Sequence, residues 1–192
     1  MLKVSRILKA KMVFHGSPFE FEIFKLHHIG TGEGTQAFGW GLYFTETQEI
    51  AEYYRKYNYN QTGTIYEVDI PDGPFLMWDK TIEDQPILLK IMNNLKIEIT
   101  TSTCEYGKLD LYVNGEWQGY SLSPSLTDMT GELAYHLISR LNGGDKSASL
   151  LLYNMGLKGI QYFDAFSREG RARTFNYVLF NDKDVKLVKK SI

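Results

Sequence analysis

At 192 residues, 43% of them hydrophobic and 14% aromatic, the chain has the composition of one soluble globular domain with enough apolar surface to bury a core. A formal net charge of −2 excludes a global basic field that would draw the whole molecule to nucleic acid or an anionic membrane, leaving only local patches for such contacts. The single cysteine, Cys104, excludes an internal disulfide, and neither a signal-peptide apolar core in "MLKVSRILKAKM" nor a membrane-length apolar run occurs, so a cytoplasmic protein with no membrane partner is expected.

In chain order, "MVFH" reads as a short strand entering the turn "GSP", and residues 25–41 as a glycine-rich loop. Thr45 with Gln48 has capping-box spacing. Ile50, Tyr53, Tyr54 and Tyr57 then follow at i, i+3, i+4 and i+7, which predicts a helix starting at Thr45. "TIYEVDIP" alternates Tyr66, Val68 and Ile70 against Glu67 and Asp69, a strand stopped at Pro71. Residues 72–126 read as an insertion in a single 1–192 domain. There Pro86 opens a helix, "KIEIT" is strand-like, and "KLDLYVNGEWQGY" alternates around the hairpin signal Asn114-Gly115. Leu133, Leu137, Ile138 and Leu141 share a helical face closed by "NGG". Ala148, Leu151, Leu152 and Met155 define another helix, ending at Gly156. "GIQYFD", "FNYVLF" and "DVKLV" complete the chain as strands, giving an α+β protein without βαβ alternation.

Several chemistries are excluded by spacing. In "GTGEGTQAFG", position 35 is Thr where a dinucleotide fingerprint beginning at Gly30 and Gly32 needs Gly, and no Walker Gly-Lys-Ser/Thr occurs. The histidines are His15, His27, His28 and His136. The adjacent pair lacks the spacing of two ligands on one helix face, so no metal is expected. There is no Gly-x-Ser-x-Gly elbow, and Cys104 has no motif around it, so it reads as structural. The stretch "AFGWGLYFTET" is the informative one. Gly39 and Gly41 beside Trp40, Tyr43 and Phe44 fit either a tight turn packed under aromatics or a flat-ring site that the backbone approaches closely.

Taken in order, "VFHGSP", "GEGTQAFGWGLYFTETQEIAEYY", "DKSAS" leading to "GLKGIQYFD", and "TFNYVLFND" resemble the ADP-ribosyltransferases. The branch is that of diphtheria toxin and poly(ADP-ribose) polymerase, marked by a His-Tyr-Glu triad, and in particular the ADP-ribosyltransferase domain of phage polyvalent proteins. The resemblance covers roughly 13–70 and 130–188. It implies an ADP-ribosyltransferase fold of two short, mostly antiparallel sheets enclosing a NAD cleft, with flanking helices and a hairpin insertion. It also implies NAD as co-substrate. His15 would hold a ribose, Gly16 would clamp the carboxamide with its backbone, Ser17 would assist, and Tyr43 would stack on nicotinamide. Either Tyr53 or Tyr54 would close the other face, and Phe38, Gly39, Trp40, Gly41 and Phe44 would wall the pocket.

The third triad position departs from the family pattern, because Asn176 stands where the triad has Glu. Asn keeps a hydrogen bond to a ribose hydroxyl but has neither charge nor basicity. Poly(ADP-ribose) elongation is therefore not expected. The loop "DAFSREGRARTF" offers Glu169 or Asp164 as a carboxylate, and Arg168, Arg171 and Arg173 to grip a pyrophosphate, a nucleic-acid phosphate or an acidic protein surface. The expected activity is mono-ADP-ribosylation of a macromolecular acceptor, protein or nucleic acid, with release of nicotinamide. The setting would be a phage or mobile-element effector or toxin in a bacterial host cytoplasm, with an antitoxin or inhibitor protein as a candidate partner. The alternatives are a NAD glycohydrolase and a catalytically silent NAD- or ADP-ribose-binding module.

Overall fold

The computed structural model describes residues 10–29, 36–56, 63–97, 99–103, 109–122, 130–164 and 174–192. The chain runs β1 (Ala10–Ser17), β2 (Leu42–Thr45), α1 (Gln48–Arg55), β3 (Thr64–Pro71), β4 (Phe75–Met77) and α2 (Pro86–Asn94). It continues through β5 (Ile99–Thr103), β6 (Leu109–Val113), β7 (Glu116–Leu122), α3 (Gly131–Leu141), α4 (Asp145–Asn154), β8 (Gly159–Phe163), β9 (Phe175–Leu179) and β10 (Lys186–Ser191).

Seven strands form one mixed sheet in the order β10-β3-β1-β2-β9-β8-β4, antiparallel except for the parallel pair β4–β8. Where two short sheets were expected, these seven strands are hydrogen-bonded into one. The β3–β1 and β9–β8 halves are joined edge to edge because β2 pairs with both β1 and β9. The join to β1 is narrow, consisting of the single pair Phe14↔Thr45.

Alternation along the strands sends successive side chains to opposite faces. One face carries Val13, Phe44, Tyr66, Val68, Ile70, Tyr177 and Leu179, covered by Phe21 and Phe24 from the loop after β1. The other carries Leu76, Ile160 and Val178, against which α2, α3 and α4 bury Leu88, Ile91, Tyr135, Ile138, Ala148 and Leu152. Each Val, Leu, Ile or Phe among them contributes about 1.5–3 kcal/mol on full burial.

The helix expected from Thr45 starts later. Thr45 is held extended as the last residue of β2 by pairing with Asn176, and Thr47 is the N-cap of α1. The Thr45 hydroxyl instead accepts from the Thr47 N–H at 3.1 Å. The face of α1 is also not the one its apolar spacing suggests: Ala51 is its buried residue, while Tyr53 and Tyr54 are 65% and 52% exposed. Tyr57 lies outside the described residues.

The 72–126 segment divides in two. Its first part belongs to the main body, with β4 at the sheet edge and α2 feeding the core. Its second part, β5–β7, is a separate three-stranded antiparallel sheet. Asn114 and Gly115, both at positive φ (51° and 82°), make the β6–β7 turn that their dipeptide predicts. Cys104 lies outside the described residues.

Candidate active site

Strands β1 and β2 separate immediately after their one pair. On its other side β1 remains paired with β3 from Ala10↔Pro71 to Ser17↔Thr64, whereas its β2-facing edge has no further ladder partner among the described residues. The His15 ring spans the opening: Nδ1–H donates to the Tyr43 carbonyl at 2.8 Å. A carbonyl only accepts, so this bond fixes the proton on Nδ1 and leaves Nε2 as an acceptor when the ring is neutral. Burial lowers the His15 pKa below its usual 6.5, against a smaller opposing effect of the Tyr43 carbonyl. The ring is therefore neutral at pH 7. It is packed among Phe24 (5.3 Å), Phe44 (5.8 Å), Phe21 (6.1 Å) and Tyr66 (6.2 Å). Tyr66 in turn accepts from the Phe21 N–H at 2.7 Å and anchors the loop over that face. Phe44 is 3% exposed and acts on the site by holding the imidazole.

Tyr43 points to the opposite face. Its hydroxyl donates to the Gly39 carbonyl at 2.7 Å and accepts from the Phe38 N–H at 3.2 Å, so its ring braces the loop that precedes its own strand. Burial pushes the hydroxyl well above its ordinary pKa. The Phe38 N–H opposes this, and Tyr135, Asp145 and Tyr54 reinforce it. Trp40 is fixed through its backbone. Its N–H donates to the Tyr135 hydroxyl at 3.0 Å and its carbonyl accepts from the Ser149 hydroxyl at 2.8 Å. Phe38 stacks on Tyr162 at 3.8 Å with an interplanar angle of 8°.

The two glycines serve this packing. A Cβ on Gly39, whose φ is +96°, would stand 2.6 Å from the Tyr135 ring, and one on Gly41 would stand 2.5 Å from the Leu179 carbonyl oxygen. The close approach they permit is that of α3 and β9, so of the two readings open from sequence the packed turn accounts for them.

Asn176 lies in the row Phe14↔Thr45↔Asn176↔Tyr162, on the same sheet face as Tyr43. Its Oδ1 is buried and has no hydrogen-bond partner among the described residues. Buried polar atoms are normally paired, so this one invites an explanation. An acceptor at Asn176 Oδ1 and another at His15 Nε2 fit ribose hydroxyls. Just beyond β8 on the Asn176 face is Asp164, 1% exposed, whose carboxylate accepts from the Thr174 hydroxyl.

Helix α1 lands directly on β1 at Gly16, where a Cβ would stand 1.8 Å from the Ala51 carbonyl oxygen. Tyr53 and Tyr54 project from it with their rings edge to face at 5.6 Å. Tyr54 is the one that acts electrostatically on Tyr43. Ser17 is buried and accepts from the Phe19 N–H at 3.1 Å. Glu169, Arg168, Arg171 and Arg173 lie outside the described residues.

One charged residue was passed over in sequence. Glu46 accepts from Lys11 Nζ (2.8 Å) and the Tyr177 hydroxyl (2.6 Å) on Oε1, and from the Phe175 N–H (2.9 Å) on Oε2. Burial alone would raise its pKa, but these hydrogen bonds together hold the carboxyl below its ordinary value. The only sequence signal was an acidic residue directly after an alternating aromatic strand.

Among the described residues no group of three or more His, Cys, Asp or Glu is placed to hold a metal ion, and no helix is long and apolar enough to cross a membrane. No curated protein and no solved structure matches the chain significantly. The family model described as "ADP-Ribosyltransferase in polyvalent proteins" matches residues 9–109, just over half of the chain. That stretch holds His15, Tyr43, Tyr53 and Tyr54, and the chain therefore belongs to this ADP-ribosyltransferase family, as a transferase that acts on NAD.

Proposed function

We propose that the protein is a mono-ADP-ribosyltransferase whose reaction takes place at the opening between β1 and β2. The observation that carries this reading is the His15–Tyr43 bridge across that opening, with Asn176 Oδ1, unpartnered among the described residues, on the adjoining strand. In this reading His15 Nε2 and Asn176 Oδ1 hold ribose hydroxyls, and the Gly16 backbone edge receives the nicotinamide carboxamide as an incoming strand would be received. Tyr43 supplies one aromatic face and Tyr54 the other. The C1′–N bond breaks, and nicotinamide leaves with the bonding pair, which neutralises its pyridinium charge. The acceptor nucleophile bonds to C1′ and gives its proton to Asp164 or Glu169. The arginines of the 165–173 loop are the proposed acceptor contacts. We assign the protein to a phage- or mobile-element effector acting in the bacterial cytoplasm, where an antitoxin or inhibitor protein would be its natural counterpart.

Two other readings rest on the same residue, because Asn176 is not a base. Water in place of the acceptor gives a NAD glycohydrolase, and no bond cleavage at all gives a binding module. Labelled NAD incubated with purified protein and bacterial lysate separates the three. Transfer leaves label on material sensitive to protease or nuclease, hydrolysis leaves free ADP-ribose, and a binding module releases no nicotinamide.

A further inference from the structure

No hydrogen bond to Oδ1 aims Asn176 among the described residues. Its direction is set by the backbone of β9 on either side. Both neighbours are held by one carboxylate on the reverse face of the sheet. The Phe175 N–H donates to Glu46 Oε2 at 2.9 Å and the Tyr177 hydroxyl donates to Glu46 Oε1 at 2.6 Å. The Glu46 backbone adds a third tie, its N–H donating to the Phe175 carbonyl at 3.0 Å. Lys11 on β1 closes the arrangement, at 2.8 Å from Glu46 Oε1 and 2.7 Å from the Tyr177 hydroxyl. Lys11, Glu46 and Phe175 therefore tie β1, β2 and β9 together at the closed end of the opening, one residue beyond the last β1–β2 pair.

We propose that Glu46 is a positioning residue for the transferase reaction: from the sheet face opposite Asn176 it fixes Phe175 and Tyr177 and so aims Asn176 at the ribose. The inference rests on the reading of the β1–β2 opening as the NAD site. Glu46 touches neither substrate nor the reacting atoms. A half-buried carboxylate accepting three hydrogen bonds is a rigid support, and rigid support is what a side chain must have to favour a transition state over bound substrate.

The test uses the full chain as wild type, Glu46→Gln, Tyr177→Phe, Asn176→Ala and the double variant Glu46→Gln/Asn176→Ala. In protein labelled with ¹⁵N at asparagine, the Asn176 side-chain amide signals are identified by their loss in Asn176→Ala. The expected result is that Glu46→Gln shifts those signals and lowers kcat for nicotinamide release about tenfold, with KM for NAD changed less than about twofold. The loss should vanish in the Asn176→Ala background, because a residue acting through another is not additive with it. Tyr177→Phe, which removes one donor and keeps the ring, should move the amide signals in the same direction by less. It decides the question if Glu46→Gln does not fold. Unmoved Asn176 signals in the folded variants, or an equal kcat loss with and without Asn176, would overturn the proposal. If the wild type releases no nicotinamide, the proposed function fails, and the amide shift still decides whether Glu46 positions Asn176.

Discussion

The backbone of Gly16 lies so close to that of Ala51 that a single added carbon would stand 1.8 Å from the Ala51 carbonyl oxygen. A helix is thereby seated on the strand one residue past His15, and the residue expected to clamp a carboxamide also has a packing reason to be glycine. Gly16→Ala should push α1 away from β1, costing about 1–3 kcal/mol as overpacking does, and NAD affinity should fall with it. Gly41→Val should act through stability as well, since its Cβ meets the Leu179 carbonyl oxygen at 2.5 Å and Val178 Cγ1 at 2.6 Å. Thermal unfolding and NAD titration of both variants check this. A Gly41→Val protein of normal stability that cannot bind NAD would restore ligand approach as the reason for that glycine.

The Tyr43 hydroxyl spends itself on Gly39 and Phe38, not on the opening. Tyr43→Phe should keep the aromatic face and hence most nicotinamide release, while losing about 1–3 kcal/mol of stability because two loop groups lose their partner. Tyr43→Ala should lose both. Chemical denaturation beside a nicotinamide-release assay distinguishes the two losses.

Among the described residues Asn176 Oδ1 has no hydrogen bond to lose. Asn176→Ala should therefore leave the unfolding midpoint unchanged or raised, while transfer falls about ten- to a thousandfold, the range of one lost transition-state hydrogen bond. Asn176→Glu should raise NAD hydrolysis by placing a base beside C1′. A destabilised Asn176→Ala protein with intact transfer would remove Asn176 from the chemistry.

His15 also predicts a pH effect, and its sign is fixed. Its folded pKa lies below 6.5, chiefly through burial. On acidification the unfolded chain takes up the proton first, so stability is constant above about pH 6.5 and declines as pH falls towards the folded value. His15→Gln should lack this decline, and denaturation curves between about pH 7.5 and 5.5 measure the difference.

What the sequence disclosed was local. The alternation of Tyr66, Val68 and Ile70 and the Asn114-Gly115 turn could be read because each depends on neighbours within a few residues. The helical faces were legible in part: Leu137 and Ile138 of α3 and Ala148 and Leu152 of α4 are buried, whereas Leu141 is 44% exposed. The fold family could be read because its motifs keep their order. Thr45 was misread as a helix start because pairing with Asn176, 131 positions along the chain, outweighs a local capping pattern. The packing role of Gly39 is not legible in sequence because its neighbour, Tyr135, lies on a distant helix. Glu46 was invisible for the same reason: its partners sit 35 and 131 positions away.

The sheet order has a consequence for how the enzyme comes into being. Strand β2 is flanked by β1, made early, and by β9, made late, while Trp40 waits for Tyr135 and Ser149. Such long-range pairings are slow to form because the intervening chain must first be gathered in. During synthesis the ribosome holds a chain with His15 and Tyr43 already emerged but no strand carrying Asn176 beside them. The surroundings of the β1–β2 opening are thus completed late, and a truncated product ending before β9 leaves β2 as a strand edge seeking a partner.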